Sequence, residues 1–194
     1  MKFIDQLKEK AKQNKKTIVL PETSDMRTIE AAGKVLAEGI ANIILVGDKE
    51  DIMSRAGDID LSGASFDDPK NYEKFDEYVD AFVEMRRKKG MTEARAKELL
   101  LTNPLYFGCM MVKQDDADGM VAGAINASAD VLRAALQTLK TAPGTRIVSA
   151  FFLVVVPDCQ YGANGTFVFA DAGLNQSPSA SELADIAEQS AKSF

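Results

Sequence analysis

Apolar residues fall along this chain in two rhythms. TIVLPE (17–22) and ANIILVG (41–47) are short, nearly unbroken apolar runs without polar alternation, the pattern of parallel strands covered on both faces. Between them Ile29, Ala32, Gly33, Leu36 and Ile40 recur at helical spacing, behind a cap at Ser24 or Asp25 and ahead of a stop at Gly39. The three segments predict a βαβ unit, whose crossover is right-handed. An amphipathic, lysine-rich helix, MKFIDQLKEKAKQNKK, precedes it.

The pattern continues with a short helix over DIMSRAG and a polar stretch, DIDLSGASFDDPKN. A helix is expected from about Tyr72 to Lys88, with Phe75, Val79 and Phe82 on one side. GMT (90–92) breaks it, and Thr92 opens a helix ending near Leu101. Asn103-Pro104 supplies the cap and first turn of LYFGCMMV. QDDADG reads as a turn, MVAGAIN (120–126) as a strand of small residues, and SADVLRAALQTLK as a helix capped by Ser128. The proline-glycine loop TAPGT (141–145) marks a domain boundary. Beyond it, RIVSAFFLVVV is a strand, and Asn164-Gly165 is a hairpin-turn signal before TFVFAD. Ser179 and Glu182 form a capping box for a last helix carrying Leu183, Ile186 and Ala187. The expected fold class is α/β. A parallel-sheet, three-layer N-terminal domain spans 1–145, and 146–194 begins a second α/β domain, which the sequence leaves incomplete because another strand should follow. No heptad or solenoid period appears.

Composition narrows the function. With 194 residues, 46% of them hydrophobic, the chain can build one good core or two modest ones. A net charge of −6 argues against general nucleic-acid binding, but does not exclude a local basic pocket for a small anion. AFFLVVVP is the richest apolar run and is far too short to span a membrane. No export signal is present, so Cys109 and Cys159 are expected as free thiols in a cytoplasmic protein. The chain has no histidine. That removes Ser-His-Asp and Cys-His catalysis, histidine metal sites and imidazole acid–base chemistry, leaving carboxylates, hydroxyls, thiols, Arg, Lys and backbone dipoles.

Two segments share a design: strand, small or polar loop, helix, and an arginine early in that helix. They are IVLPETSDMRTIEAA, with Arg27, and VAGAINASADVLRAA, with Arg133. Helix N-termini favour anions, and arginine adds a bidentate phosphate clamp; the alternative is two solvated surface arginines. Arg86 opens the cluster Arg86-Arg87-Lys88-Lys89, which spacing alone reads as cations stabilising a helix C-terminus. QDDADG fails the calcium-loop pattern, and no Walker loop or dinucleotide fingerprint is present; no metal site is expected. Cys159 lacks a base or cation nearby in sequence and lies close to Asp158, so it reads as a structural or bystander cysteine, not a nucleophile. Asp171 and Asn175 are either cleft residues or parts of an ordinary turn.

IVLPETSDMRT, RRKKGMT, ADGMVAGAINASADVLRAALQTLKTAPG, SAFFLVVVPDCQYGANGTFVFADAGLN and SASELADIAEQSAKSF occur in the order seen in the phosphate acetyltransferase (phosphotransacetylase) family, which the whole chain resembles. The resemblance implies interconversion of acetyl-CoA plus phosphate with acetyl phosphate plus CoA, by direct transfer in a ternary complex. It implies two α/β domains of the isocitrate/isopropylmalate dehydrogenase-like architecture around a cleft, and a cytoplasmic homodimer active in acetate metabolism. Coenzyme A would be a substrate, with no other cofactor and no nucleic-acid or membrane partner. Matched position by position, Arg27, Arg86 and Arg133 are expected to bind CoA, and Cys159 to neighbour the active site without being acylated.

The resemblance also places a serine-arginine pair and an aspartate, the groups that stabilise the transition state and take the CoA thiol proton, on a further stretch that this sequence does not contain. No catalytic residue is therefore expected within it, and the expectation is an N-terminal part without acetyl transfer activity of its own. Two readings share the enzyme class: a phosphate butyryltransferase, differing in acyl pocket, and a dehydrogenase of related architecture, for which the metal-binding aspartates and nicotinamide site are missing. The alternative from another class is a non-catalytic CoA-binding or dimerising fragment.

Overall fold

The first apolar runs become β1 (Thr17–Leu20) and β2 (Asn42–Val46) in a computed structural model that describes residues 3–194. They pair in parallel, Ile18 beside Ile43 and Leu20 beside Leu45. β3 (Ala64–Asp67) and β4 (Gly119–Met120) complete a four-stranded parallel sheet in the order β3-β2-β1-β4. The side-chain period of two divides its core. Leu20, Ile43 and Leu45 face a cluster with α2 (Met26–Glu38) and α3 (Lys49–Ala56), built on Ile29, Ala32, Ile52 and Ala56. Val19, Ile44 and Val46 face the opposite way, into a larger cluster with α4 (Phe75–Arg86), α5 (Glu93–Thr102), α6 (Pro104–Lys113) and α7 (Ser128–Thr138). The result is a parallel sheet flanked by helices. The N-terminal α1 (Phe3–Gln13) buries no residue fully and is tied to α2 by Lys8 and Glu38, 2.6 Å apart.

Local signals set the joints. Asp25, not Ser24, caps α2, accepting from the Arg27 amide at 2.8 Å, and Gly39 ends that helix at φ 66°. Asn103 and Pro104 start α6, whose residues from Leu105 to Met111 are all buried. Gly108 lets α6 lie directly on the sheet: a Cβ there would stand 2.8 Å from Met120 Sδ and 3.2 Å from Val19 Cγ1.

Four expectations are corrected. The polar stretch after α3 contains β3, an edge strand whose one large apolar residue is Phe66. MVAGAIN is strand only at Met120; Val121 still donates to the Val19 carbonyl at 3.0 Å, but from Gly123 to Asn126 the amides turn to a side chain just past β1's end. Ser128 is the first residue of α7 and not its cap, which is Ala127 without a side-chain hydrogen bond. α4 ends at Arg86, and Arg87–Lys89 tighten into a 3₁₀ turn closed by Gly90 at φ 77°.

The chain divides into two compact units, Met1–Lys140 and Thr141–Phe194. In the second, β5 (Phe151–Val155) and β6 (Thr166–Ala170) form an antiparallel ladder. Asn164 (φ 51°) and Gly165 (φ 81°) make the tight turn into β6, with Ala163 and Thr166 exchanging amide–carbonyl bonds of 3.1 Å. α8 (Ala180–Ser193) opens on the Ser179–Glu182 capping box, and Arg146 holds Asp185 through two 3.0 Å bonds. Among the described residues, no helix is long and apolar enough to cross a membrane.

Candidate functional site

Consecutive helix joints bring cations together. Gly90 and the Thr92 cap, which accepts from the Arg95 amide at 3.3 Å, turn the chain from α4 into α5; Asn103 then turns it into α6. Where these helices meet α7, a cleft of about 380 Å³ opens, lined by Arg86, Lys89, Met91, Arg95, Glu98, Leu99, Thr102, Tyr106, Arg133 and Gln137. Four cations thus face one carboxylate, over a wall of Met91, Leu99 and Tyr106. Among the described residues, Arg86, Lys89 and Arg95 enter no ion pair, whereas Arg133 is held by Asp130 at 2.6 Å. The Arg86 Nε is buried without a hydrogen-bond partner.

The floor of the cleft is neutral. Tyr106 packs edge-on against Phe82, ring centroids 5.8 Å apart, and donates its hydroxyl to Gln137 Oε1 at 3.2 Å. Burial pushes the Tyr106 phenol above its ordinary range, with Arg133 and then Arg86 pulling the other way, so it remains a neutral donor between two guanidiniums. Unpaired cations above an apolar wall suit a ligand that carries phosphate groups and a stackable or aliphatic body.

Arg86 and Arg133, expected as ligand-binding residues from the resemblance, share this cleft. The bland reading of Arg86, as a dipole-stabilising surface cation, misses the cleft that α5 and α7 build over it. Arg133 reaches the cleft from α7's second turn, so it lines a helix-walled cleft and not the end of a strand. Lys89 belongs to the basic run that Arg86 opens, whereas no sequence signal marks Arg95.

Arg27 lies elsewhere, at the ends of β1 and β4, beside a smaller pocket of about 190 Å³. Its side chain is 70% exposed, and its Nε and NH2 bind the Asp25 carboxylate at 3.0 and 2.7 Å. NH2 also donates to the Ala124 carbonyl at 2.5 Å. The same loop is gripped by Glu22, only 2% exposed and absent from the sequence reading. Glu22 Oε2 accepts from the Gly123 and Ala124 amides at 2.6 and 2.7 Å. Oε1 accepts from the Ile125 and Asn126 amides at 3.1 and 2.8 Å, and from Asn126 Nδ2 at 2.8 Å. Burial opposes the charge, but these donors overcome it and hold the carboxyl at a pKa of about 2. The loop amides that could have cradled an external anion already hold one.

Cys159 lies in the second unit, half-buried and free, between Asp158 at φ 55° and the Asn164-Gly165 turn. Cys109 is also free, and burial raises its thiol pKa. Asp171 is used locally: it accepts from the Leu174 and Asn175 amides at 2.8 Å each and from Asn175 Nδ2, which also reaches the Val148 carbonyl at 2.9 Å. These two residues form a turn.

The model of one protein family, described as phosphate acetyl/butaryl transferase, matches residues 2–194. The phosphate acetyltransferase of Acetivibrio thermocellus is 53% identical over 194 residues, which are 100% of this chain and 58% of that protein. That of Clostridium acetobutylicum is 44% identical over 189 residues, 96% of this chain and 56% of its own. The EutD phosphotransacetylase from Staphylococcus aureus superposes with a TM-score of 0.85 at 35% identity, covering 98% of this chain and 56% of that one. The chain therefore spans less than two thirds of the length of these relatives.

Proposed function

The chain belongs to the phosphate acetyl/butaryl transferase family, and on that premise we propose that it binds coenzyme A as part of an enzyme interconverting acetyl-CoA plus phosphate with acetyl phosphate plus CoA. The observation that carries this is the helix-lined cleft: three unpaired cations and a fourth, Arg133, over an apolar wall, with the Arg86 Nε buried and unpartnered. CoA is a polyanion with a flat base and a long aliphatic arm, and the cleft offers a counterpart to each. Arg86 and Arg133 are the proposed CoA ligands, joined by Lys89 and Arg95. Arg27 is proposed to contribute at the strand-end pocket, and Cys159, in the second unit, to neighbour the active site.

The proposed reaction is direct transfer. A phosphate oxygen attacks the thioester carbonyl, the tetrahedral oxyanion collapses, and CoA leaves as its thiolate. It requires two anions to be held against their repulsion, which guanidiniums provide without histidine. No cofactor beyond CoA as substrate is invoked. Acetyl is preferred to butyryl because the compared relatives from A. thermocellus and C. acetobutylicum are both named phosphate acetyltransferases. The whole protein is proposed to be a cytoplasmic homodimer with two isocitrate/isopropylmalate dehydrogenase-like domains, the boundary lying in the loop near 145.

Isothermal titration of the chain with CoA tests the cleft. Binding should be detectable, and Arg86→Ala or Arg133→Ala should weaken it about tenfold or more, the effect of losing roughly 1.4 kcal/mol. No detectable binding, or binding unchanged in both variants, refutes the assignment.

A further inference from the structure

We propose that Glu22 is a positioning residue for ligand binding: ionised, it fixes the Gly123–Asn126 loop and so sets where α7 presents Arg133. The inference rests on the CoA reading of the cleft. Three observations join in it. The carboxylate sits just past the end of β1, buried, and accepts five hydrogen bonds from a loop about a hundred residues away in sequence. That loop runs directly into α7, which has no side-chain cap of its own, so its entry is fixed by the residues before it. Asn126, the last residue gripped, is two positions before Ser128, the first residue of the helix. Arg27 holds the loop from the opposite polarity, through the Ala124 carbonyl. Donors and acceptors of the segment are thereby committed to groups on β1's end and on the start of α2.

The consequence follows from geometry. Arg133 lies in the second turn of α7, and Gln137 one turn later anchors the Tyr106 hydroxyl. A helix whose first turn drifts carries Arg133 with it, and guanidinium–phosphate bonds lose strength within a fraction of an ångström. Glu22 lines the strand-end pocket with Arg27 but is not among the residues lining the cleft, so its effect on Arg133 would pass through the loop and helix.

The test uses the 194-residue chain as wild type, Glu22→Gln and Glu22→Ala. Gln keeps the shape but turns an NH2 onto backbone amides that need an acceptor; Ala leaves a space that acetate fits. Amide exchange of residues 123–131 is followed by NMR alongside CoA titration. Expected are exchange at Gly123–Asn126 about tenfold faster or more in Glu22→Gln, with α5 and α6 unchanged, and CoA affinity about tenfold weaker. In Glu22→Ala, added acetate should restore loop protection and CoA affinity together, which loss of general stability would not allow. Unchanged loop exchange in Glu22→Gln, or faster exchange with full CoA affinity, overturns the proposal. A wild-type chain that binds no CoA refutes the cleft assignment instead, and Glu22 is then decided by loop exchange and its acetate rescue.

Discussion

Glu22→Gln should cost stability in a way that depends on pH, and the dependence can be worked out. The Glu22 carboxyl is lowered from an ordinary 4.5 to about 2 in the folded chain. A depressed carboxylate contributes stability above its unfolded pKa and loses it as pH falls through the folded value. The group is 2% exposed, so solvent screens it little. The depression corresponds to about 3 kcal/mol at pH 7 and about 1.4 kcal/mol at pH 3, vanishing near pH 1. Glutamine cannot titrate, so whatever its amide costs against the loop N–H groups is constant with pH. The gap between wild type and Glu22→Gln should therefore narrow by about 2 kcal/mol between pH 7 and pH 3. The chain has no tryptophan, so urea unfolding is followed by far-UV circular dichroism. Asp25, Asp116 and Asp118 are also depressed, but they are common to both proteins and cancel in the difference. A gap that stays constant over this range, or widens toward acid, refutes the reasoning.

Two further outcomes test the packing that carries the site. Gly108→Ala gains up to about 1 kcal/mol of helix propensity but places a methyl group against Met120 and Val19. Met120 can move and β1 cannot, so a net loss of about 1 kcal/mol and a Tm lower by a few degrees are expected in calorimetry; a higher Tm contradicts the close α6–sheet contact. Asp116→Ala removes the acceptor shared by Lys74, Tyr72 and the fully buried Tyr78, and should cost about 2–3 kcal/mol in denaturant unfolding. Adding Tyr78→Phe should then cost little, because the stranded hydroxyl goes with it; full additivity in that cycle would show that the hydroxyl and carboxylate do not interact.

What the sequence made legible was whatever depends on neighbours within a few residues. The β1–α2–β2 unit follows from period and caps, the Asn164-Gly165 turn from two left-handed positions, and the start of α8 from its capping box. β3 escaped because an edge strand with one large apolar residue has no hydrophobic rhythm to announce it. The end of β4 is hidden from the sequence for another reason. VAGAIN has a strand's composition, but the ladder stops where Glu22 offers its amides a charged acceptor, stronger than a neutral carbonyl. That competition involves residues about a hundred positions apart and leaves no trace in either segment alone.

The candidate site follows the same division. Each arginine was visible as a residue, and spacing gave Arg27 and Arg133 one shared role at helix starts. The fold separates them: Arg27 is spent largely on Asp25 and the Ala124 carbonyl, while Arg133 joins Arg86 in a cleft built from four helices. A helix N-terminus attracts anions only while its amides are free, and the loop before α7 has given its own to Glu22. What remains for a ligand is the guanidinium and ammonium charge of the cleft, where, among the described residues, Arg86, Lys89 and Arg95 enter no ion pair. Lys89 and Arg95 are exposed and hydrated, so the group an anion would relieve most is the Arg86 Nε, buried without a partner.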